Sequence, residues 1–126
     1  EIKIIKNLIK IFNNKGCSKD DLLVAIGPSI SKKNYLIDYK TLQNFYKLTS
    51  HKELISLSQD ERILLKLKKD DFPLNLKENA YIQLLNENIL NSNIDICNLC
   101  TYESNNDFYS WRRSKTSSRQ WNFISP

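Results

Sequence analysis

Apolar residues recur at Ile2, Ile5, Leu8, Ile9 and Phe12, with Lys3, Lys6 and Lys10 on the other side, so the spacing predicts an amphipathic helix over residues 2–12. Gly16 stands where a left-handed C-terminal cap belongs. The breadth of the stripe asks for a sheet face as its partner. Residues 22–26, Leu-Leu-Val-Ala-Ile, are continuously apolar and stop at Gly27-Pro28, the pattern of a strand buried on both faces. Tyr35-Leu36-Ile37 reads as extended, and Asp38 can cap a helix that carries Leu42, Phe45 and Tyr46 on one side. Periodicity then fades over residues 50–62, which predicts an irregular, exposed and mobile connection.

Beyond it, residues 63–67 read as a strand and residues 70–73 as a turn. Asn75 followed by Glu78 has the spacing at which each side chain can satisfy the other's free amide, so a helix should follow with Leu76, Ala80, Leu84 and Leu85 inward and an end between Asn86 and Asn91. Residues 94–101 are the next strand. Residues 108–111 and 120–124 favour strands around a turn at 114–118, a terminal hairpin that would gather Arg112, Arg113, Lys115 and Arg119.

Helices alternating with buried strands place the chain in the α/β (α+β) class: a mixed β-sheet core with flanking helices and a C-terminal β-hairpin. Its 126 residues suit one domain. The chain opens at Glu1, without methionine, inside an apolar-periodic stretch, so a partial domain is expected, residues 1–126 being the carboxyl-terminal portion of a longer unit.

Charge adds little. The net +5 comes mainly from lysines interleaved with acids, which keeps a surface solvated and gives no nucleic-acid footprint. No stretch reaches the length of a membrane span and no secretory leader opens the chain, so no membrane partner and a cytoplasmic, reducing location are expected. Cysteine supports this, since three thiols are an odd number, and Cys97 and Cys100 in a strand would point to opposite faces.

Four features could carry chemistry. The loop Gly27-Pro28-Ser29-Ile30-Ser31 lies at the carboxyl end of a strand, where open α/β sheets tend to hold ligands, although spacing alone favours an ordinary strand-ending turn. His51, the single histidine, lacks converging partners for a metal. Cys97-Asn98-Leu99-Cys100 has the spacing of half a zinc site or of a redox motif. Without matching ligands or a helix start, buried inert cysteines are the better expectation. Arg112 and Arg113, adjacent in a strand, would face opposite ways, one able to grip phosphate or carboxylate with its planar fork. An anion site and a solvated basic hairpin or internal ion pair stand equal there.

The order Ala25-Ile26-Gly27-Pro28-Ser29-Ile30 with Tyr35, then Asn75-Leu76, then Cys100-Thr101-Tyr102, and last Phe108-Tyr109-Ser110-Trp111-Arg112-Arg113, resembles the carboxyl-terminal half of the YfiH family over nearly the whole chain. That family was named as multicopper, laccase-like polyphenol oxidases and is now read as zinc-dependent purine nucleoside phosphorylases with adenosine deaminase side activity. The resemblance implies zinc as cofactor, copper as the alternative, and purine nucleoside and phosphate as partners. It also implies metal ligands in Val-His-Gly, Ala-Asp-Cys and His-Ala-Gly-Trp-Arg-Gly segments upstream of residue 1; none of these motifs occurs here. The chain should then hold no metal and be inactive alone. Arg112 or Arg113, with Cys100, Thr101, Gly27 and Pro28, would line the wall of the cleft opposite those ligands. The family's usual Arg-Arg-Asp-x-x-Thr-Gly-Arg-Met-Ala is replaced by Arg112-Arg113-Ser114-Lys115-Thr116-Ser117-Ser118-Arg119-Gln120-Trp121, without the glycine of that turn. Two rivals are kept: copper-assisted phenol oxidation, and a basic module stacking Trp111 and Trp121 on single-stranded nucleic acid, which burial of those rings would count against; their alternation with polar residues makes burial the better expectation.

Overall fold

The fold is a computed structural model that describes residues 3–46, 63, 68–120 and 123. It contains helix α1 (Ile4–Asn14), strand β1 (Val24–Ile26), strand β2 (Leu36–Ile37), helix α2 (Tyr39–Tyr46), strand β3 (Phe72–Pro73), helix α3 (Leu76–Asn86), strand β4 (Ile94–Ile96) and a single helical turn α4 (Trp111–Ser114). Short 3-10 turns lie at Lys19–Asp21, Lys32–Asn34 and Asn91–Asn93.

The strands form two small sheets. β1 runs parallel to β4 with Val24 opposite Ile94 and Ile26 opposite Ile96, and β2 runs antiparallel to β3 with Leu36 opposite Pro73. Parallel neighbours need a long crossover. The connection here runs from β1 through α2 and α3 to β4, and α3 packs back onto β1. This is the expected mixed α/β architecture, with each sheet far smaller than the sequence suggests.

Two apolar clusters flank α3. Ile37, Leu42 and Leu74 are buried together against Tyr35, Phe72, Leu76 and Ile82, while Ile9, Leu84 and Ile89 are buried against Ile5, Leu22, Val24, Ile26 and Ile94. The Ile5 and Ile9 row of α1 therefore meets α3 and the β1–β4 pair. Its second row does not: Ile4, Leu8 and Ile11 are 70, 50 and 53% exposed. Nor is β1 covered on both faces, since Ala25 is exposed between half-buried Val24 and Ile26 and neighbouring Leu23 lies open. A groove of about 380 Å³ follows that open side, lined by Leu23, Ala25 and Ile94 with Ser92, Asn93 and Asp95.

The caps follow local chemistry. Cys17 donates to Phe12 O at 3.1 Å and Gly16 to Asn13 O at 3.0 Å, closing α1 through Gly16 at φ +87°. Asp38 Oδ1 accepts from the Thr41 amide at 2.7 Å, and Asn75 Oδ1 accepts from the Glu78 amide at 3.3 Å, while no reciprocal bond from Glu78 is seen among the described residues. At the other end of α3, the Lys19 ammonium donates to Glu87 O at 2.7 Å, a cation meeting a helix's unpaired carbonyls.

Four expectations are corrected. The strand over residues 94–101 ends at Ile96, and Phe72-Pro73 is an edge strand rather than part of a turn, since proline's missing donor is no loss on an edge. Of residues 63–67 only Ile63 is described, and its backbone is helical. The terminal hairpin is absent among the described residues: Trp111–Ser114 turns helically and stops at Lys115, whose φ is +54°. The connection at 50–62, His51, the side chains of Phe45 and Tyr46, and most of 120–124 lie outside the described residues.

Candidate functional site

The carboxyl ends of β1 and β4 open onto two loops that stay together after the ladder ends. Cys97 donates to Ile26 O at 2.9 Å, and Ser29 then bridges Cys100 in parallel register, with the Thr101 amide donating to Ser29 O at 3.2 Å. Gly27, exposed, and Pro28, half-buried, thus lead directly to the residue beside Cys100. Lys77 Nζ holds the approach to Cys100 by donating to Leu99 O at 2.8 Å. The loop that begins at Gly27-Pro28 therefore meets Cys100-Thr101 across some seventy residues of sequence.

Cys100 is the chemical centre of this junction. Its sulfur is 3.3 Å from the Ser31 amide that donates to it and 3.3 Å from Ser31 Oγ, to which the thiol donates and from which the thiolate can accept. Asn34 Nδ2 donates to it at 3.7 Å. Burial pushes the thiol up, but the Ser31 hydroxyl and amide, with smaller contributions from the amides of Glu103 and Tyr102, outweigh it and lower the thiol to about 7. Buried, inert cysteines were expected; Cys100 is buried within a polar cluster, and Cys97 is only half-buried. Neither forms a disulfide. Ser29 Oγ is enclosed beside this cluster with no hydrogen-bond partner among the described residues.

The rim is charged. Asn34 Nδ2 also donates to Ser31 Oγ at 2.9 Å and to Glu103 Oε1 at 2.7 Å, and Lys33 pairs with the same carboxylate at 2.7 Å. The Lys33 bond and then the Asn34 bond hold the Glu103 carboxyl below its usual range, and the Glu103 bond raises the Lys33 ammonium. Both are exposed, so the pair adds order rather than much stability.

The two arginines have separate fates. Arg113 Nη1 donates to Thr101 O and Tyr102 O, both at 2.8 Å, and its Nη2 donates to Phe108 O at 2.6 Å. Arg112 is exposed, with its guanidinium carbon 5.1 Å from the centroid of Tyr35, the residue that ends the Ser31–Asn34 turn. In the helical turn the two side chains diverge by about 100° rather than 180°. The gathering with Lys115 and Arg119 is replaced by separate partners: Lys115 Nζ lies 3.7 Å from the Trp111 ring centroid, and Arg119 donates to Thr116 O and Ser118 O. Trp111 is half exposed, against the expectation of burial, and Trp121 lies outside the described residues.

Asn34 and Glu103 were not predicted as site members, and Ser31 entered only as the last residue of the Gly27–Ser31 loop. Their only signal was a polar run after Gly27-Pro28 and an acid after Cys-Thr-Tyr, and nothing local says that these meet. Among the described residues no three His, Cys, Asp or Glu converge on a common point, so the described residues do not by themselves form a seat for a zinc or copper ion. No described helix is long and apolar enough to cross a membrane.

The chain matches, over residues 2–126, the family described as multi-copper polyphenol oxidoreductase laccase. It is 25% identical to a purine nucleoside phosphorylase of Synechocystis, with 97% of this chain covered and 50% of the relative. The chain therefore spans about half the length of that curated relative. Among solved structures it resembles YlmD from Geobacillus stearothermophilus, with a TM-score of 0.72 and 23% identity over 86% of this chain and 38% of the other. It also resembles the hypothetical protein YfiH of Bacillus licheniformis, with a TM-score of 0.67 and 25% identity over 86% of this chain and 39% of the other.

Proposed function

Because the chain belongs to the multi-copper polyphenol oxidoreductase laccase family, we propose that the protein of which it forms part is an enzyme that splits purine nucleosides with phosphate, and that the junction around Cys100 is one wall of its cleft. The observation that carries the reaction is the match along 97% of the chain to a relative named purine nucleoside phosphorylase. The wall follows from placement at the carboxyl ends of parallel strands.

In phosphorolysis a phosphate oxygen attacks the anomeric carbon, the bond from that carbon to the purine nitrogen breaks, and its electron pair leaves with the base. The protein must hold phosphate against the sugar and stabilise the departing purine. Arg112 is the residue of this wall suited to phosphate. Its guanidinium lies 5.1 Å from the Tyr35 ring centroid and makes no hydrogen bond among the described residues, which leaves its N–H fork to pair with two phosphate oxygens. Arg113 is committed to carbonyls and takes no direct part. Zinc, or copper in its place, belongs in this proposal to parts of the protein beyond this chain, as do adenosine deaminase side activity and a cytoplasmic setting.

The family's description favours one second reading, metal-assisted oxidation of phenols. Incubating the metal-supplemented full protein with inosine or adenosine plus phosphate, and in parallel with a phenol and oxygen, separates the two. Release of free base with ribose 1-phosphate is expected. Phenol oxidation without any phosphate-dependent base release would refute the proposal.

A further inference from the structure

Arg113 is a half-buried cation whose hydrogen bonds all go to carbonyls of one loop, at Thr101, Tyr102 and Phe108. A surface arginine that only keeps a protein soluble does not fork onto three main-chain oxygens 2.6 to 2.8 Å away. The loop it grips is folded on Cys100: the amides of Glu103 and Ser104 donate to Cys100 O at 3.2 and 3.0 Å, and Phe108 donates to Ser104 O at 3.0 Å. The carbonyls of Thr101 and Tyr102 belong to the same peptide units as the amides of Tyr102 and Glu103. Fixing those oxygens fixes the direction in which those amides point.

We infer that Arg113 is a positioning residue, whose fork locks the 101–108 loop so that Glu103 reaches Lys33 and Asn34, the Asn34 amide in turn donating to the Cys100 sulfur and to Ser31 Oγ, ordering the floor against which a ligand at the strand ends rests. Arg112 is left as the arginine that meets the ligand. The importance of that floor rests on the function proposed above; the positioning itself does not. Deleting the fork frees three carbonyls to turn toward water, and the amides behind them turn as well. Cys100 then keeps the Ser31 amide but loses the Asn34 donor that Glu103 holds in place.

The reporter is Cys100 itself, because its thiolate fraction reads the donors around it. The full protein and its Arg113→Gln and Arg113→Lys variants are alkylated with iodoacetamide across pH 5.5 to about 10, a range that spans the ordinary thiol value. Modification is then quantified by fragment-resolved mass spectrometry on the peptide that holds both Cys97 and Cys100, so Cys97 is an internal reference. The expected result is a Cys100 midpoint near 7 in the parent, displaced upward in Arg113→Gln, by less in Arg113→Lys, with Cys97 unmoved. A plain loss of packing raises the plateau rate by exposing the sulfur, but does not by itself raise the midpoint. An unchanged midpoint in a variant with parental circular dichroism overturns the inference. Should Arg113→Gln fail to fold, Arg113→Lys decides by the same criterion. Alkylation requires neither nucleoside nor phosphate, so a failure of the proposed phosphorolysis leaves this result standing, and the reverse holds too.

Discussion

Two adjacent arginines with identical chemistry do different work here because of what lies within reach of each. Arg113 makes three charge-assisted bonds in a half-buried position, so Arg113→Ala should cost about 2–4 kcal/mol in urea unfolding, mostly from stranded carbonyls. Arg112 makes one exposed ring contact, so Arg112→Ala should cost less than about 1 kcal/mol. Equal losses would mean that the division between them is wrong. Cys100 adds a pH dependence. Its folded value of about 7 lies below the ordinary 9.0, so the folded state favours the thiolate. That stabilisation is complete above pH 9 and disappears as pH falls through 7. The stability difference between the parent and Cys100→Ala should therefore widen from pH 7 to pH 9, and a difference independent of pH would contradict the hydrogen-bonded thiolate. None of this was readable from the sequence, because Ser31 and Cys100 are far apart in the chain, and spacing arguments see only neighbours.

Elements with strong local signals came through. The amphipathic spacing and Gly16 foretold α1 and its end, and Asp38 and Asn75 foretold the starts of α2 and α3, because caps and periodicity act within a few residues. The C-terminal segment failed for the opposite reason. Phe108 to Trp111 has the composition of a strand, yet Trp111–Ser114 forms a helical turn from which Arg113 reaches back to Phe108 O, a contact that composition does not signal. β3 was hidden by Pro73, whose place on an edge is visible only once β2 is beside it. Gly16 provides a clean test at this scale. A methyl group added there would meet nothing within 4 Å, so at φ +87° Gly16→Ala should destabilise by about 1 kcal/mol through backbone strain alone. Ile9→Ala, which empties a buried site in the α1–α3 cluster, should cost about 2–5 kcal/mol. A neutral Gly16→Ala would show that the left-handed cap is not required.

At the scale of the molecule, the described residues carry a two-stranded parallel ladder with α3 packed against it. A two-stranded parallel ladder open on one face is rare in isolation, because parallel sheets are normally covered on both. The open row of Ile4, Leu8 and Ile11 adds a second uncovered surface. Both features agree with a chain that spans about half of its curated relative. Replacing Leu8 and Ile11 together by glutamate should leave the Ile5 and Ile9 contacts intact while lowering self-association of the isolated chain in sedimentation velocity; unchanged sedimentation would mean that this face is not adhesive. The YfiH-like family and the α/β class were legible in short motifs, whereas the division of labour between the arginines required the fold.

In the proposed assignment, Arg112 meets phosphate at the strand ends while Arg113 shapes the loop behind it. The measurement that tests it most directly is the KM for phosphate in inosine phosphorolysis by the full protein and its Arg112→Ala variant. Loss of one bidentate arginine–phosphate pair, worth about 1.5–3 kcal/mol, should raise that KM at least tenfold with the nucleoside KM little changed. A phosphate KM equal to that of the parent would contradict the account.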